Sequence, residues 1–270
     1  MLSDITIGQF FPGTSLLHRL DPRVKLVLVF AYIVVVFVPD NWVGLALAVA
    51  LLMVAVGISR IPPKVLLKGL KPVLPLLAFT SLINIFYVQG TVLAKFWILQ
   101  ITLEGIYTAL FIAVRILCLI AVGSLLTYTT SPTALTDALE RVMSPLKLFH
   151  VHVHEIAMMM TIALRFIPTL IEETDKIMAA QKARGADMES GNLMQRVRAL
   201  IPVLVPLFVS SFRRAYDLAT AMECRCYHGG DGRTRMKQFH MVFADYAVVG
   251  VMCLLLVLMI LSNMVLPAVI

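Results

Sequence analysis

Long apolar segments separated by short polar ones dominate the hydropathy pattern of the chain. A helix needs about 20 apolar residues to cross the hydrocarbon core of a bilayer. Segments that approach or exceed this length with few charges are residues 24–38, 41–59, 72–94, 105–128 and 246–270. We interpret each of them as a membrane-spanning helix. The pattern therefore predicts an all-α, polytopic membrane protein with about five transmembrane helices.

The basic residues are distributed very unevenly among the segments that join these spans. Of the 23 Lys and Arg residues, 21 lie in the N-terminal tail, in the second loop and in the long stretch between the fourth and fifth spans. Lys and Arg accumulate on the cytoplasmic side of membrane proteins. The distribution therefore predicts a cytoplasmic N-terminus and a C-terminus on the outside.

The composition agrees with a membrane location and excludes an ordinary soluble globule. Hydrophobic residues make up 60% of the chain and charged residues only 14%, whereas soluble domains average about a quarter charged residues. The net charge of +7 is explained by the sorting of charges across the membrane, so we expect no nucleic-acid partner. The four cysteines lack the spacing of a disulfide framework.

Helical patterns continue through the polar stretch between the fourth and fifth spans. A short amphipathic helix is predicted at residues 133–141, with Ser131 as its cap and Pro132 in its first turn. Two long helices are predicted at residues 155–184 and 193–227, because a glycine breaker follows each pattern. This stretch is therefore built around a pair of long helices.

We expect this stretch to stay in the cytoplasm rather than cross the membrane. Its most apolar segment, residues 199–212, would reach only about 21 Å as a helix and contains two prolines. A crossing there would also place a cluster of basic residues outside. The predicted organisation is a membrane part with four spans at 1–128, a cytoplasmic insert at 129–241 and a final span at 242–270.

Each long helix of the insert ends in an arginine with small neighbours. The two tips are Ala183-Arg184-Gly185 and Cys224-Arg225-Cys226. The arginines are 41 positions apart, and the alignment that superposes them makes the helices degenerate repeats. A single arginine at such a place can simply complement the helix dipole. Two equivalent tips instead favour guanidinium groups that enter acidic pockets on partner proteins.

Three motifs spread over nearly the whole chain resemble those of a known family. One lies in the N-terminal segment, and the other two lie in the long helices. They are Gly13 to Lys25, Leu164-Arg165-Phe166-Ile167-Pro168 with Gln181 to Gly185, and Ala221 to Cys226. On these motifs the chain resembles the EcfT family, the transmembrane coupling subunits of energy-coupling factor transporters, which are related to the membrane subunits of cobalt and biotin uptake systems.

The resemblance implies that the two long helices cross and that their tips dock into two cytoplasmic ABC-type ATPases. The docking residues would be Ala183, Arg184, Gly185, Cys224, Arg225 and Cys226. It also implies that the membrane part holds a small, exchangeable membrane subunit that captures the substrate. ATP and Mg²⁺ would bind the partner ATPases, leaving this chain with no catalytic residue, cofactor or metal. The absence of a G-x-x-x-x-G-K-[ST] loop from the sequence agrees with that division of labour.

The second tip departs from the family pattern, which is Ala-Arg-Gly at both helices. Cysteines replace both neighbours of Arg225, while the arginine itself is retained. The role of the flanking residues at that tip is therefore open. The pair also lacks the second pair of cysteines that a zinc site would need.

Two alternative functions remain open on the sequence. His150, His152, His154 and Glu155 have side chains that bind divalent metals, and they would suit a membrane metalloenzyme if the segment were extended. Arg115, an arginine inside the fourth span, would suit a self-contained secondary transporter, because intramembrane charges mark substrate pathways.

The substrate is not encoded in the spans, since substrate capture belongs to a separate subunit in this family. The sequence leaves both vitamins and metal ions open, and its Met-rich insert favours vitamins, because soft side chains suit exchange among several capture subunits. The expected location is the bacterial plasma membrane.

Overall fold

The computed structural model describes residues 10–96, 99–186, 192–230 and 240–265. Within these ranges the chain is almost entirely helical. The helices are α1 (Leu16–Arg19), α2 (Pro22–Phe37), α3 (Trp42–Ser59), α4 (Pro63–Leu70), α5 (Leu74–Tyr87), α6 (Leu103–Thr129), α7 (Pro132–Val142), α8 (Val153–Ala183), α9 (Leu193–Glu223) and α10 (Phe243–Val265). Two strands, β1 (Val92–Phe96) and β2 (Leu99–Thr102), lie between α5 and α6. The predicted all-α, polytopic class is confirmed.

Six helical stretches in the described ranges are long and apolar enough to cross a membrane. They are α3, the continuous stretch Pro63–Tyr87, α6, α8, α9 and α10. The helix at the first predicted span, α2, is shorter, with 16 residues. Because α8 and α9 meet the same criterion of length and composition, their cytoplasmic placement stays a prediction that rests on the distribution of charge. The last predicted span, 246–270, matches α10 up to Val265, and residues 266–270 lie outside the described residues.

The third predicted span, 72–94, was placed too far along the chain at its C-terminal end. The helix ends at Tyr87, because Val88 adopts an extended backbone. Gly90 then lies against Glu104, and a Cβ at this glycine would come within 2.1 Å of the Glu104 carboxylate. The chain continues into an antiparallel hairpin in which Val92 pairs with Thr102. A run of apolar residues alone does not reveal this change from helix to strand.

Short polar side chains fix where the apolar helices begin. The side chain of Asn41 accepts a hydrogen bond from the Gly44 amide at 2.7 Å and caps α3. Ser131 accepts a bond from the Ala134 amide at 3.3 Å and caps α7, as predicted. These side chains satisfy amide groups that the first helical turn leaves unpaired.

The chain folds as two compact units. The first contains residues 10–142 and 240–265, and its core is formed where α2, α3, α6 and α10 meet. The buried Tyr32 on α2 donates a hydrogen bond to the Ala48 carbonyl of α3 at 2.9 Å. The short helix α7 packs against α2 and therefore belongs to this unit. The boundaries predicted at 129 and 242 stay a prediction.

The second unit contains residues 143–186 and 192–230, and it is built from α8 and α9. Both long helices form where the sequence predicts them. Pro202 and Pro206 lie inside α9 without ending it. The helix stops at Glu223 and is followed by a turn, so its C-terminal end comes slightly before the predicted residue 227.

Candidate functional site

The first long helix ends in a tight turn that exposes Arg184. The amide of Gly185 bonds to the Lys182 carbonyl at 3.0 Å, and the amide of Ala186 bonds to the Gln181 carbonyl at 3.0 Å. This hydrogen-bond pair is the Schellman motif, which requires a left-handed residue after the helix. Gly185 supplies it with a φ of +87°. Glycine has no Cβ to clash in this conformation, which explains the predicted stop at this residue.

The second long helix ends in the same motif. The amide of Cys226 bonds to the Glu223 carbonyl at 2.9 Å, and the amide of Tyr227 bonds to the Met222 carbonyl at 3.1 Å. Cys226 adopts the left-handed conformation with a φ of +55°. The structure thus places Arg225 at the same position of the turn that Arg184 occupies in the first tip.

The two turns share both of the hydrogen bonds that close them, under the 41-residue offset that the sequence suggested. The offset superposes both carbonyl acceptors, both left-handed residues and both arginines. All six predicted docking residues are exposed: Ala183, Arg184, Gly185, Cys224, Arg225 and Cys226. Within the described ranges, neither guanidinium forms a hydrogen bond or ion pair. The small neighbours and the tight turn therefore leave two cationic side chains open to a partner.

An ion pair that was not predicted from the sequence joins the two long helices. Arg214 of α9 donates from Nη2 to Glu173 Oε2 of α8 at 2.7 Å. Ser210 donates a hydrogen bond to the other oxygen of the same carboxylate. The Glu173 carboxylate is thus bound on both oxygens where the helices meet.

A second contact shows that the two helices run in opposite directions where they meet. Gln181, eight residues after Glu173, donates to the carbonyl of Pro202, which precedes Arg214 by 12 residues. Each tip arginine follows its own member of the ion pair by 11 residues, or about 16 Å along a helix. The tips therefore extend to opposite sides of the ion pair and lie up to about 33 Å apart.

The ion pair connects positions that are equivalent in the two repeats. Residues 173 and 214 differ by 41, the offset that also superposes the tips. Opposite charges at equivalent positions of a repeat were a signal available in the sequence.

The histidine segment does not assemble into a metal site. His150 closes a 3-10 turn with a φ of +60°, and His152 precedes α8 rather than lying within it. His154 lies in the first turn of α8, where its ring faces Gly230. No group of three or more His, Cys, Asp or Glu side chains in the described ranges is placed to bind a metal ion.

Arg115 is held by the backbone of a neighbouring turn. Its Nη2 donates to the Pro39 carbonyl at 2.7 Å, and its guanidinium lies 4.9 Å from the centre of the Phe111 ring and 5.4 Å from that of Phe37. Asn263 of α10 donates to the adjacent Val38 carbonyl at 2.7 Å. The carbonyls just after α2 have no partner within that helix, so Arg115 and Asn263 satisfy them. These contacts favour a role in joining α2, α6 and α10.

The N-terminal motif forms a buried polar cluster at one end of the first unit. Asp21 caps α2, and its own amide donates to Oδ1 of the buried Asp245 at 2.9 Å. Lys25 donates to the carbonyls of His18 and Thr129, at 3.2 and 3.1 Å. The motif therefore joins the N-terminal segment to α6 and α10. Asp245 was missed because it lies 224 positions from Asp21.

Comparison with known proteins shows that the sequence of this chain is similar to those of transport proteins. Residues 13–237 match the model of the CbiQ family, described as cobalt transport protein. The energy-coupling factor transporter transmembrane protein EcfT of Ruminiclostridium cellulolyticum is 54% identical, over 93% of this chain and 94% of the relative. The protein with the same description from Thermosediminibacter oceani is 51% identical, over 91% and 93%. The one from Bacillus subtilis is 44% identical, over 92% and 94%.

Proposed function

Because the chain belongs to the CbiQ family, with EcfT transmembrane proteins of energy-coupling factor transporters as relatives, we propose that it is the coupling subunit of such a transporter. In this role it transmits the movements of partner ATPases to a membrane subunit that captures the substrate. Its membership of a transport family and its apolar helices make it a multi-pass membrane component of a transporter.

The observation that carries the proposal is the pair of equivalent helix tips. Each presents an exposed arginine whose side chain has no partner among the described residues, and the turn that positions it is closed by two backbone hydrogen bonds. A guanidinium held on a rigid turn fits a carboxylate pocket with little loss of conformational freedom. Two tips on opposite sides of the ion pair suit two ATPase subunits, one for each arginine.

ATP and Mg²⁺ belong to the partner subunits in this proposal. When the ATPases close on ATP, their docking grooves move, and the tips move with them. The ion pair between Glu173 and Arg214 links the two helices near their crossing, so that a displacement of one tip also acts on the other helix. This chain supplies binding and mechanical transmission rather than chemistry.

The proposed partners are two cytoplasmic ABC-type ATPases and one small, exchangeable capture subunit in the bacterial plasma membrane. The proposed orientation has the N-terminus inside and the C-terminus outside, from the distribution of Lys and Arg. A vitamin or a related micronutrient is the proposed cargo. Affinity purification from the native membrane, followed by mass spectrometry, identifies the capture subunit and through it the cargo.

The docking role is tested with Arg184→Glu and Arg225→Glu, singly and together, in the purified complex. A reversed charge in a pocket that binds a cation weakens binding by at least about 30-fold, because the partner carboxylate is left facing a like charge. Recovery of each ATPase with the tagged chain, and ATP-dependent uptake into vesicles, are measured. Arg198→Glu and Arg213→Glu are matched controls, since both arginines are exposed on α9 away from its tip.

The expected result is loss of ATPase and uptake in the tip variants and retention of both in the controls. Retention of both ATPases and normal uptake in the double tip variant would refute the docking role. An affinity-purified chain that transports substrate without any ATPase would support a secondary transporter instead.

A further inference from the structure

The short helix α4 and the residues on either side of it carry a row of cations that the proposed coupling function does not use. Lys64 and Lys68 lie in α4, Lys71 follows directly after it, and Arg60 follows the last residue of α3. The three lysines recur at intervals of four and three residues. At about 100° per residue, the three lysines fall within about 60° of arc on one side of the helix. All four residues are exposed.

The opposite side of α4 is fixed against α6. Val65 and Leu66 pack against a buried cluster that includes Leu125 and Tyr128 of α6. Gly69 permits the close approach, because a Cβ there would lie 3.0 Å from the Tyr128 hydroxyl. The row of lysines therefore points away from the body of the unit.

The row has no acidic partner within the described part of the chain. The sequence contains no Asp or Glu between Asp40 and Glu104. None of Arg60, Lys64, Lys68 and Lys71 takes part in a hydrogen bond through its side chain or in an ion pair within the described ranges. Four like charges on about three turns of chain repel one another unless an anion binds there.

The position of the row relative to the apolar surface indicates the kind of anion. α4 continues through one 3-10 turn into α5, whose outward surface exposes Leu74, Leu76, Phe79, Leu82 and Ile83. Lys71 precedes Leu74 by three residues, or about 5 Å along a helix axis. Leu67, beside the lysines, is 64% exposed. Cations directly next to a lipid-facing apolar surface lie at the level of phospholipid headgroups.

We infer that Arg60, Lys64, Lys68 and Lys71 form a binding surface for the phosphates of anionic phospholipids, with Leu67 inserted beside the headgroups. This surface goes beyond the proposed coupling function and does not depend on it. The lipid would hold α4, and with it the N-terminal end of α5, at a fixed depth in the membrane. Each lysine at an anionic membrane surface strengthens binding about fivefold.

The experiment is acetylation footprinting of lysines in the full-length chain, purified with its native partners and placed in nanodiscs. One set of discs contains only phosphatidylcholine, and the other contains one quarter phosphatidylglycerol. Lys64, Lys68 and Lys71 are expected to react at least fivefold more slowly in the anionic discs. About 0.5 M NaCl should remove most of the difference, because salt screens exposed charge. Lys147 and Lys176, in the other unit, serve as reference lysines and should change less than twofold.

A K64Q/K68Q/K71Q variant, which keeps the helix length and polarity, gives an independent measurement by native mass spectrometry. The selectivity with which this variant retains phosphatidylglycerol over phosphatidylcholine should be at least tenfold lower than that of the parent chain. Replacing Arg141, Lys147 and Lys176 by Gln removes the same charge elsewhere and should leave the selectivity unchanged.

Three results of the footprinting would overturn the inference. The first is equal acetylation of the α4 lysines in both kinds of disc, and the second is equal protection of Lys147 and Lys176. The third is protection that is the same in both lipids and disappears when the partner subunits are removed, which would assign the surface to a protein. Unchanged lipid selectivity in the triple variant would likewise place the lipid elsewhere.

Discussion

The two helix tips share one backbone geometry but differ in the residue that closes it, and this difference predicts opposite effects of mutation. Cys226 holds a left-handed φ of +55°, where Gly185 holds +87°. The left-handed conformation costs a residue with a Cβ about 1–2 kcal/mol. Glycine avoids that cost, but its greater conformational freedom in the unfolded chain costs about 0.5–1 kcal/mol on folding. Cys226→Gly should therefore stabilise the second tip by about 0.5–1 kcal/mol, and Gly185→Ala should destabilise the first by a similar amount.

Hydrogen–deuterium exchange measures this directly at the amides that close the turns. The Tyr227 amide in Cys226→Gly should exchange about two- to fivefold more slowly, and the Ala186 amide in Gly185→Ala about two- to fivefold faster, because local opening sets their exchange. Cys226→Ser keeps the Cβ while removing the thiol, so it should leave the Tyr227 amide unchanged. Slower exchange in the serine variant, or no change in the glycine variant, would show that backbone strain at Cys226 is not what distinguishes the tips.

Two further predictions concern the membrane unit. Gly44→Ala should lower the melting temperature of the purified protein, because its Cβ would lie 2.5 Å from the Pro39 Cβ. Gly57→Ala, with nothing within 4 Å of the added Cβ, is the matched control and should be neutral or slightly stabilising; equal losses in both would refute the steric explanation. Asp245→Asn should lower the free energy of unfolding by about 1–3 kcal/mol. The backbone amides of Asp21 and Val242 each donate to a different oxygen of Asp245, and the asparagine side chain has an NH2 group in place of one of them. An unchanged melting temperature would contradict it.

The sequence predicts the helices well where a local signal marks them. Ser131 and Pro132 start α7, and Gly185 ends α8, each as the residue type dictates. The end of α5 was missed because the stretch without charged residues continues past Tyr87 to Ala94, although Gln89-Gly90-Thr91 interrupts its apolar residues. Hydropathy alone does not distinguish an apolar helix from an apolar strand.

The candidate site could be predicted as far as its chemistry is local. An arginine between small residues at a helix end is visible in the sequence, and the structure places both arginines in matching exposed turns. The contacts that tie the elements together were not predictable in the same way. Arg115 donates to a carbonyl 76 positions away, and the residue type does not indicate which backbone carbonyl will accept such a bond.

The ion pair between α8 and α9 limits the internal symmetry of this helix pair. In an arrangement of two identical helices related by a twofold axis, a residue on the axis meets its own copy. Residues 173 and 214 occupy such matching positions, yet one is an acid and the other a base. Identical charges there would repel, whereas this combination attracts only when the two helices differ. The pair thus breaks the internal symmetry at its centre, so α8 and α9 are not interchangeable although their tips are alike. The two ATPases proposed to bind the tips therefore need not be identical, because the helices that carry the tips differ at this position.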